Sequence, residues 1–588
     1  MSLVNIKING QPYQVESGLT VLEAARKCGY VVPSLCAFNH GKCSLASCRV
    51  CLVEVVGARG LVASCVYPVN EGMEIITNSQ KAVEARRASV ELILSNHQKN
   101  CLQCPKQGKC ELLEVANIVG ARDQKFMGEQ SPATVDELAP GLMRNTAKCI
   151  LCGRCIERCK EAHGISILGF ENRGFKAIVA PAQNRSFAES PCLQCGQCVN
   201  VCPTGALYEN EEIAKVDAAF KAGKKVIVQT APAVRAAIAE EFGEPIGSTT
   251  GTGKMVAALR RLGFYRVFDT NFGADLTIME EAHELMDRIT KKTAPLPQIT
   301  SCSPGWINYL EYFYPEVIPN VSSCKSPHMM VGAIVKSYFA KKHELDPKDI
   351  FVVSVMPCTA KKYERQRKEM PNDVDAVLTT RELAKMIKRA GIVWNKLPDE
   401  EFDNDLLGEY SGAGVIFGVT GGVMEAALRT AYFWLTGKEY KEINFTAVRG
   451  LEGVKEAALN INGTEIKVAV TSGMANAKKL LDQIKDGTSP YAFIEVMCCP
   501  GGCINGGGQP FVKPIFLPNE DDDILETYRA KRASVLYSED ERLVIRQSHN
   551  NKDIQKLYAD FLGEPGSELA EELLHTSYNA KREKFPVK

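Results

Sequence analysis

Three short stretches lie far apart in the second half of the chain: Thr300-Ser-Cys-Ser-Pro-Gly-Trp306, Met356-Pro-Cys-Thr-Ala-Lys-Lys-Tyr-Glu364 and Glu495-Val-Met-Cys-Cys-Pro-Gly-Gly-Cys503. Each joins cysteine to proline, and two carry glycine as well. Structural zinc sites usually take their thiolates from close pairs on one knuckle. Thiols this scattered converge only if a large folded domain brings them together, so the motifs predict a buried metal cluster inside a substantial core. With 588 residues, 45% of them hydrophobic, the chain is long enough for three or four domains.

Composition narrows the partners and the redox setting. Lys plus Arg and Asp plus Glu each total 70, so no net field recommends nucleic acid or an anionic membrane. The uncharged run at 411–424 is too short and glycine-rich to span a bilayer. The segment MSLVNIKINGQPYQ has no apolar signal region or twin arginine, and the expected location is cytoplasmic. In a reducing compartment, 23 cysteines are expected to be mostly metal ligands rather than a disulfide framework.

The expected architecture is multidomain α/β, with boundaries read from texture. Residues 1–80 open with the alternating strand Val4–Asn9, an Asn9-Gly10 turn and a short helix with a Thr20/Glu23 capping box, and read as a β-rich module. Residues 81–98 have helical period, and 81–125 form a second module. A Cys-rich module at 140–210 contains an internal repeat. From 222 to 525 strands (Lys225–Gln229, Arg266–Asp269, Ile350–Val355, Ile466–Val470) alternate with helices (Val234–Glu241, Leu276–Ile289), the pattern of a parallel-sheet domain. Residues 526–588 read as a charged helical tail.

The repeat is Cys149-x2-Cys152-x2-Cys155-x3-Cys159 followed by Cys192-x2-Cys195-x2-Cys198-x3-Cys202-Pro203. This is the two-cluster bacterial ferredoxin spacing, in which the fourth cysteine of each run ligates the other cluster. Cys149, Cys152, Cys155 and Cys202 are assigned to one [4Fe–4S] centre, and Cys192, Cys195, Cys198 and Cys159 to its neighbour. Zinc knuckles do not account for four cysteines per run. In the first module Cys36, Cys43, Cys48, Cys51 and Cys65 compete for the four places of a [2Fe–2S] centre; the plant-type rule fits Cys43-x4-Cys48-x2-Cys51, and a set with Cys36 is the alternative. His97-x3-Cys101-x2-Cys104-x5-Cys110 suits zinc and [4Fe–4S] equally by spacing, and its place between two ferredoxin-like modules favours the latter. Gly247-Ser-Thr-Thr-Gly-Thr-Gly-Lys-Met255 lacks the residues of a phosphate loop and reads as a loop capping a helix.

Together these motifs resemble the [FeFe]-hydrogenase family over nearly the whole chain, in its long form with an amino-terminal relay; the first module then resembles a β-grasp [2Fe–2S] domain, with Cys36 as ligand beside Cys48, Cys51 and Cys65 and Cys43 spare. TSCSPGW stands where the family usually has TSCCPxW, and EVMCCPGGC where it has EVMACPxGC. The segments at 230–235, 272–282, 379–388 and 417–431 also look like the family. The resemblance implies an H-cluster, a [4Fe–4S] unit sharing one thiolate with a di-iron subsite that carries CO, cyanide and a dithiolate amine. It is accompanied by one [2Fe–2S] and three accessory [4Fe–4S] centres. Cys358, Cys499 and Cys503 would be ligands, Lys361 and the backbone at Ala231-Pro232 would hold cyanide, Met356 and Met497 would pack against the di-iron unit, and Phe417 would exclude water.

The same resemblance gives Cys302 the proton transfer to the amine and leaves Ser303 at a ligand position, so that Ser303, Cys302 or Cys498 must complete the cubane. Cys498 and Cys324 are extra thiols whose ordinary fate is packing as weak hydrophobes. The implied proton route runs from Cys302 through Glu281, Ser322 and Glu284 to Arg288; Glu281, Glu284 and Arg288 share a helix face that is ordinarily solvent-exposed. The implied reaction is 2H⁺ + 2e⁻ ⇌ H2, with an electron partner that is either ferredoxin or a flavin-containing NAD(P)-linked subunit, and with dedicated maturation proteins. At neutral pH the proton couple lies at about −0.41 V, seven steps of about 59 mV, close to roughly −0.4 V for plant-type [2Fe–2S] centres. An H2-sensing relative and the electron-input subunit of an NADH dehydrogenase are the alternatives; the latter does not explain the three carboxy-terminal motifs.

Overall fold

The computed structural model describes residues 2–37, 45–122, 125–248, 251–439, 444–450, 453–461, 464–512 and 524–581. Cys43 and Thr249-Thr250 lie outside the described residues. Asn9 and Gly10 take φ of 50° and 82°, the left-handed pair that a tight hairpin between Leu3–Ile8 and Gln11–Glu16 requires. Leu3–Ile8 also pairs in parallel with Met73–Ile76, completing a five-stranded sheet over the helix Val21–Lys27. That helix has the expected Thr20/Glu23 capping box. The helix Gln80–Ser95 leads into the second module.

The sequence repeat is a backbone repeat. Leu151 and Gln194 both have φ 54°, each donates its N–H to the preceding cysteine sulfur at 3.4 Å, and Gly153 and Gly196 start the paired helices Arg154–His163 and Gln197–Val201 with φ 77° and 72°.

In the large domain, Arg266–Asp269, Lys225–Thr230, Ile350–Met356 and Ala376–Thr379 form an all-parallel four-stranded sheet in that order. A second sheet runs Gln298–Ile299, Phe493–Met497, Thr464–Ser472, Val454–Ile461, and only its outer hairpin is antiparallel. All three cysteine motifs, and Ala231-Pro232, emerge at carboxyl ends of parallel strands, where α/β folds place ligand crevices. The long helix Thr270–Thr290 is buried along most of its length. The helix expected at Val234–Glu241 is instead Pro232–Arg235 followed by a 3₁₀ turn at Ile238–Phe242. Arg235 is drawn into a buried pair with Asp269, 2.5 Å apart, while a Cβ on Gly251 would stand 2.5 Å from the Arg235 carbonyl oxygen. These glycines serve close packing, in keeping with a helix-capping loop. The carboxy-terminal helix Ile524–Arg542 packs on Gly412–Ile416 and is pinned by Arg532, which donates to Glu240 and to the Ile504 carbonyl. Among the described residues no helix is long and apolar enough to cross a membrane.

Candidate metal centre

The three motifs close around one cavity. Cys302, Ser303, Cys358, Lys361, Cys498, Cys499 and Cys503 line it, as do Ala231, Pro232, Met356, Phe417 and Met497. Burial, and then mutual repulsion with Cys499 and Cys503, pushes the Cys358 thiol well above its ordinary range. Burial and Cys499 push Cys503 up to about 12. Three buried thiols that repel one another when ionised suit a cationic centre that would stabilise them as thiolates. The donor set therefore fits an iron–sulfur group.

Lys361 projects into the same cavity. Its ammonium donates to the Cys302 carbonyl at 3.0 Å and to Glu364 at 2.8 Å, leaving one of three donors for a ligand. Burial opposes ionisation of Glu364, but Lys361 and His328 outweigh it and bring its pKa down to about 2. His328 sits in the cavity wall, 2.6 Å from Glu364, and burial followed by Lys361 holds it down at about 4, so its ring is neutral. A lone histidine is ordinarily a packing or surface residue. The only local signal for His328 was its place after Pro327 in a segment that leads into a helix.

Ser303 and Cys498 are coupled. The Ser303 hydroxyl accepts the Cys498 N–H at 3.1 Å, and the Cys498 thiol donates to Cys195 and contacts Cys499. A Cβ on Gly305 would fall 2.6 Å from the Cys498 sulfur, so the glycine leaves room for that thiol. Cys195 also meets His163 Nε2 at 3.2 Å and reaches the cavity wall. Cys498 thus bridges the cavity and the ferredoxin-like module.

On the opposite wall the Cys302 thiol is raised well above its ordinary range, by burial and then by Glu281. Burial and then Glu284 push Glu281 up to about 8; Ser322 and the Ser301 N–H bond to it, and its Oε1 has no partner. The Ser322 hydroxyl donates to Glu284 at 2.7 Å, and Arg288 donates to Glu284 at 2.6 Å. The helix face expected to be solvent-exposed is largely buried under the carboxy-terminal segment and the loop at 319–324. Arg288 also donates to the carbonyls of Pro295, Pro319, Asn320 and Val321, so it anchors Glu284. Cys324 is fully buried and lies away from the cavity, its sulfur 4.0 Å from Glu284 Oε2.

The accessory cysteines also converge. Cys36 bonds to Cys48 and Cys65, and Cys51 to Cys65. Cys149, Cys152, Cys155 and Cys202 line one cavity of about 430 Å³. Cys159 lies among Cys192, Cys195 and Cys198. Cys202 thus lies with the first three cysteines of the first run, and Cys159 with the first three of the second. His97 Nδ1 is buried without a partner, and burial with Lys148 lowers the ring to about 4. A neutral imidazole with an open nitrogen suits metal ligation.

Known proteins share this organisation. Residues 224–507 match the C-terminal domain of the iron-only hydrogenase large subunit, and 526–581 match the iron hydrogenase small subunit. Residues 2–80 match a 2Fe-2S iron–sulfur cluster binding domain, 86–125 the NADH-ubiquinone oxidoreductase-G iron–sulfur binding region, and 148–206 a 4Fe-4S dicluster domain. The chain is 47% identical to the NADP-reducing hydrogenase subunit HndD of Solidesulfovibrio fructosivorans, over 98% of this chain and 99% of that one. It is 43% identical to iron hydrogenase 1 of Clostridium pasteurianum, over 97% and 99%. A solved [FeFe]-hydrogenase from Chlamydomonas reinhardtii superposes with TM-score 0.53 and 44% identity, covering 61% of this chain and 94% of that one.

Proposed function

Because the chain belongs to the iron-only, or [FeFe], hydrogenase family, we propose that it interconverts protons and H2 in the cavity between its two sheets, on an H-cluster held by Cys358, Cys499 and Cys503. When bound, that group supplies the redox-active iron at which H2 is split or formed. The observation that carries the reading is the convergence of three repelling thiols, one lysine donor and a buried proton-accepting face on a single apolar cavity.

Each wall has its own task. Lys361 and the backbone at Ala231-Pro232 orient anionic diatomic ligands; Met356, Met497 and Phe417 keep water out. Cys302 exchanges a proton with Glu281, which passes it through Ser322 to Glu284, held by Arg288. Cys498 would supply the fourth thiolate of the cubane. Supporting this, the Ser303 oxygen is engaged with the Cys498 N–H, while the Cys498 sulfur touches Cys499.

Four accessory centres would supply the electron path: a [2Fe–2S] that Cys36, Cys48, Cys51 and Cys65 would hold, a [4Fe–4S] that His97, Cys101, Cys104 and Cys110 would hold, and the two ferredoxin-type [4Fe–4S] centres. Electrons leave to a separate redox protein, ferredoxin or a flavin-containing NAD(P)-linked subunit. The working compartment is the cytoplasm, where thiols stay reduced and maturation proteins build the site. Iron quantitation with infrared spectroscopy of matured protein tests the whole reading. CO and cyanide bands that vanish in Cys503→Ala support it, and native bands in that variant refute it.

A further inference from the structure

The proton route has no titratable terminus beyond Glu284. Its side chain is only 17% exposed, and its partner Arg288 is a donor without acceptor capacity, so the guanidinium does not carry a proton on. One group stands next in line. A ring nitrogen of His575, from the carboxy-terminal segment, lies within 4.8 Å of both a Glu284 carboxylate oxygen and the Cys324 sulfur, a gap spanned by one hydroxyl or water. Ser323 holds the two groups in place: its hydroxyl meets His575 Nδ1 at 2.8 Å, and its N–H donates to Glu284 at 3.2 Å.

The ring is oriented for transfer through that nitrogen. Nε2 faces buried Glu280 at 3.1 Å, and Glu280 is itself bound by the Tyr558 hydroxyl and the Gly566 N–H. A carboxylate there keeps the proton on Nε2 and leaves Nδ1 to exchange. On its other side Nδ1 is 3.8 Å from Glu571, whose side chain is 57% exposed. Backbone pairing between Cys324 and His575 fixes the register of the two segments.

We infer that His575 is the outer station of the proton relay, exchanging protons with Glu284 across the one-water gap beside Ser323 and with solvent by way of Glu571. Each inward step breaks an N–H bond on the ring as an O–H bond forms on the bridging water, whose own proton passes to Glu284; outward steps reverse this, and no electron moves. The groups facing His575 are Glu280 and Glu284 from the long helix, Glu571 from its own helix, Cys324 from the neighbouring segment and, through Glu280, Tyr558; His283 stands over Gly566 nearby. Burial disfavours the imidazolium, but Glu280, Glu571 and Glu284 outweigh it and raise the pKa above the ordinary 6.5.

The inference rests on the relay proposed above, and the test separates the two. Matured holoenzyme is assayed for H2 evolution with a reduced dye from about pH 6 to about pH 9. His575→Gln is expected to lower turnover about tenfold on the alkaline limb, with iron content and infrared bands unchanged and with activity restored by added imidazole. Glu571→Gln, an exposed substitution, is expected to shift the same limb by a smaller amount. A His575→Gln profile that superimposes on the native one, or a deficit that imidazole leaves untouched, overturns the inference. Glu281→Gln run in parallel reports on the underlying relay: its loss of activity at every pH, beyond rescue by imidazole, upholds that relay whatever His575 does.

Discussion

Replacing Glu281 by glutamine is the sharpest probe of the proton path, because the structure predicts both its size and its pH signature. The carboxyl is fully enclosed on the helix Thr270–Thr290 and sits at about 8 instead of 4.5. At 1.36 kcal/mol per pK unit, the native site favours the neutral acid by roughly 5 kcal/mol. A raised carboxyl pKa stabilises the fold fully below about pH 4.5 and loses that contribution as pH rises through about 8. Near pH 7 the group is thus mostly protonated yet able to release its proton, the condition for a relay. Glutamine keeps the shape of the neutral acid and its bonds to Ser322 and the Ser301 N–H, but has no proton to pass. Turnover is expected to fall about 10²- to 10⁴-fold, roughly 3–5 kcal/mol in the barrier, while iron content and CO and cyanide bands stay native. The decline of apparent stability with pH should also flatten. Dye-linked H2 evolution within about threefold of the native rate, with all clusters present, would refute the reasoning.

Other substitutions test separate parts. Cys498→Ala should lose the cubane signal in electron paramagnetic resonance, whereas Ser303→Ala should retain it; the reverse order would return the ligand role to residue 303. His97→Ala should lower the iron content by about four atoms and spare the infrared bands. Unchanged iron would show that the histidine only packs. Arg532→Met should cost roughly 3–5 kcal/mol, because it strands Glu240 and frees the Ile504 carbonyl beside Cys503. Thermal unfolding measures this, and a melting temperature equal to the native one would count against an anchoring role for the carboxy-terminal helix.

Much of this organisation is legible in sequence because ligand spacing and strand periodicity are local. The spacing from Cys149 to Cys202 predicts a two-centre module, in line with the 4Fe-4S dicluster domain matched there, and the turn at Asn9-Gly10 and the capping box at Thr20 and Glu23 follow from φ preference and side-chain reach alone. The long-range contacts are a different matter. Nothing near Ser303 in sequence says that its hydroxyl holds the Cys498 N–H, since that bond joins the start of one helix to the end of a distant strand. His328 and Arg288 mislead for a related reason. A lone histidine and a charged helix end are surface features by default, and only the packing of the segment after Val321 and the carboxy-terminal tail converts them into a cavity wall and a buried clamp. The helix break after Arg235 arises from the pair with Asp269, a partner on another strand.

The two charge carriers reach the cavity from different parts of the chain, and electrostatics gives a reason. The electron side is built from thiols: Cys195 belongs to the ferredoxin-like module and bonds to Cys498, one residue from Cys499. A carboxylic acid among those thiolates would be driven still higher by like charge and would hold its proton too tightly to relay it. Glu281 and Glu284 of the proposed relay instead lie on the long helix, where Glu281 acts on Cys302 and the carboxy-terminal segment, through Tyr558 and His575, packs on Glu280. Removing or displacing that segment should therefore slow proton delivery while leaving reduction of the accessory clusters intact, a separation that stopped-flow reduction and steady-state turnover measure independently.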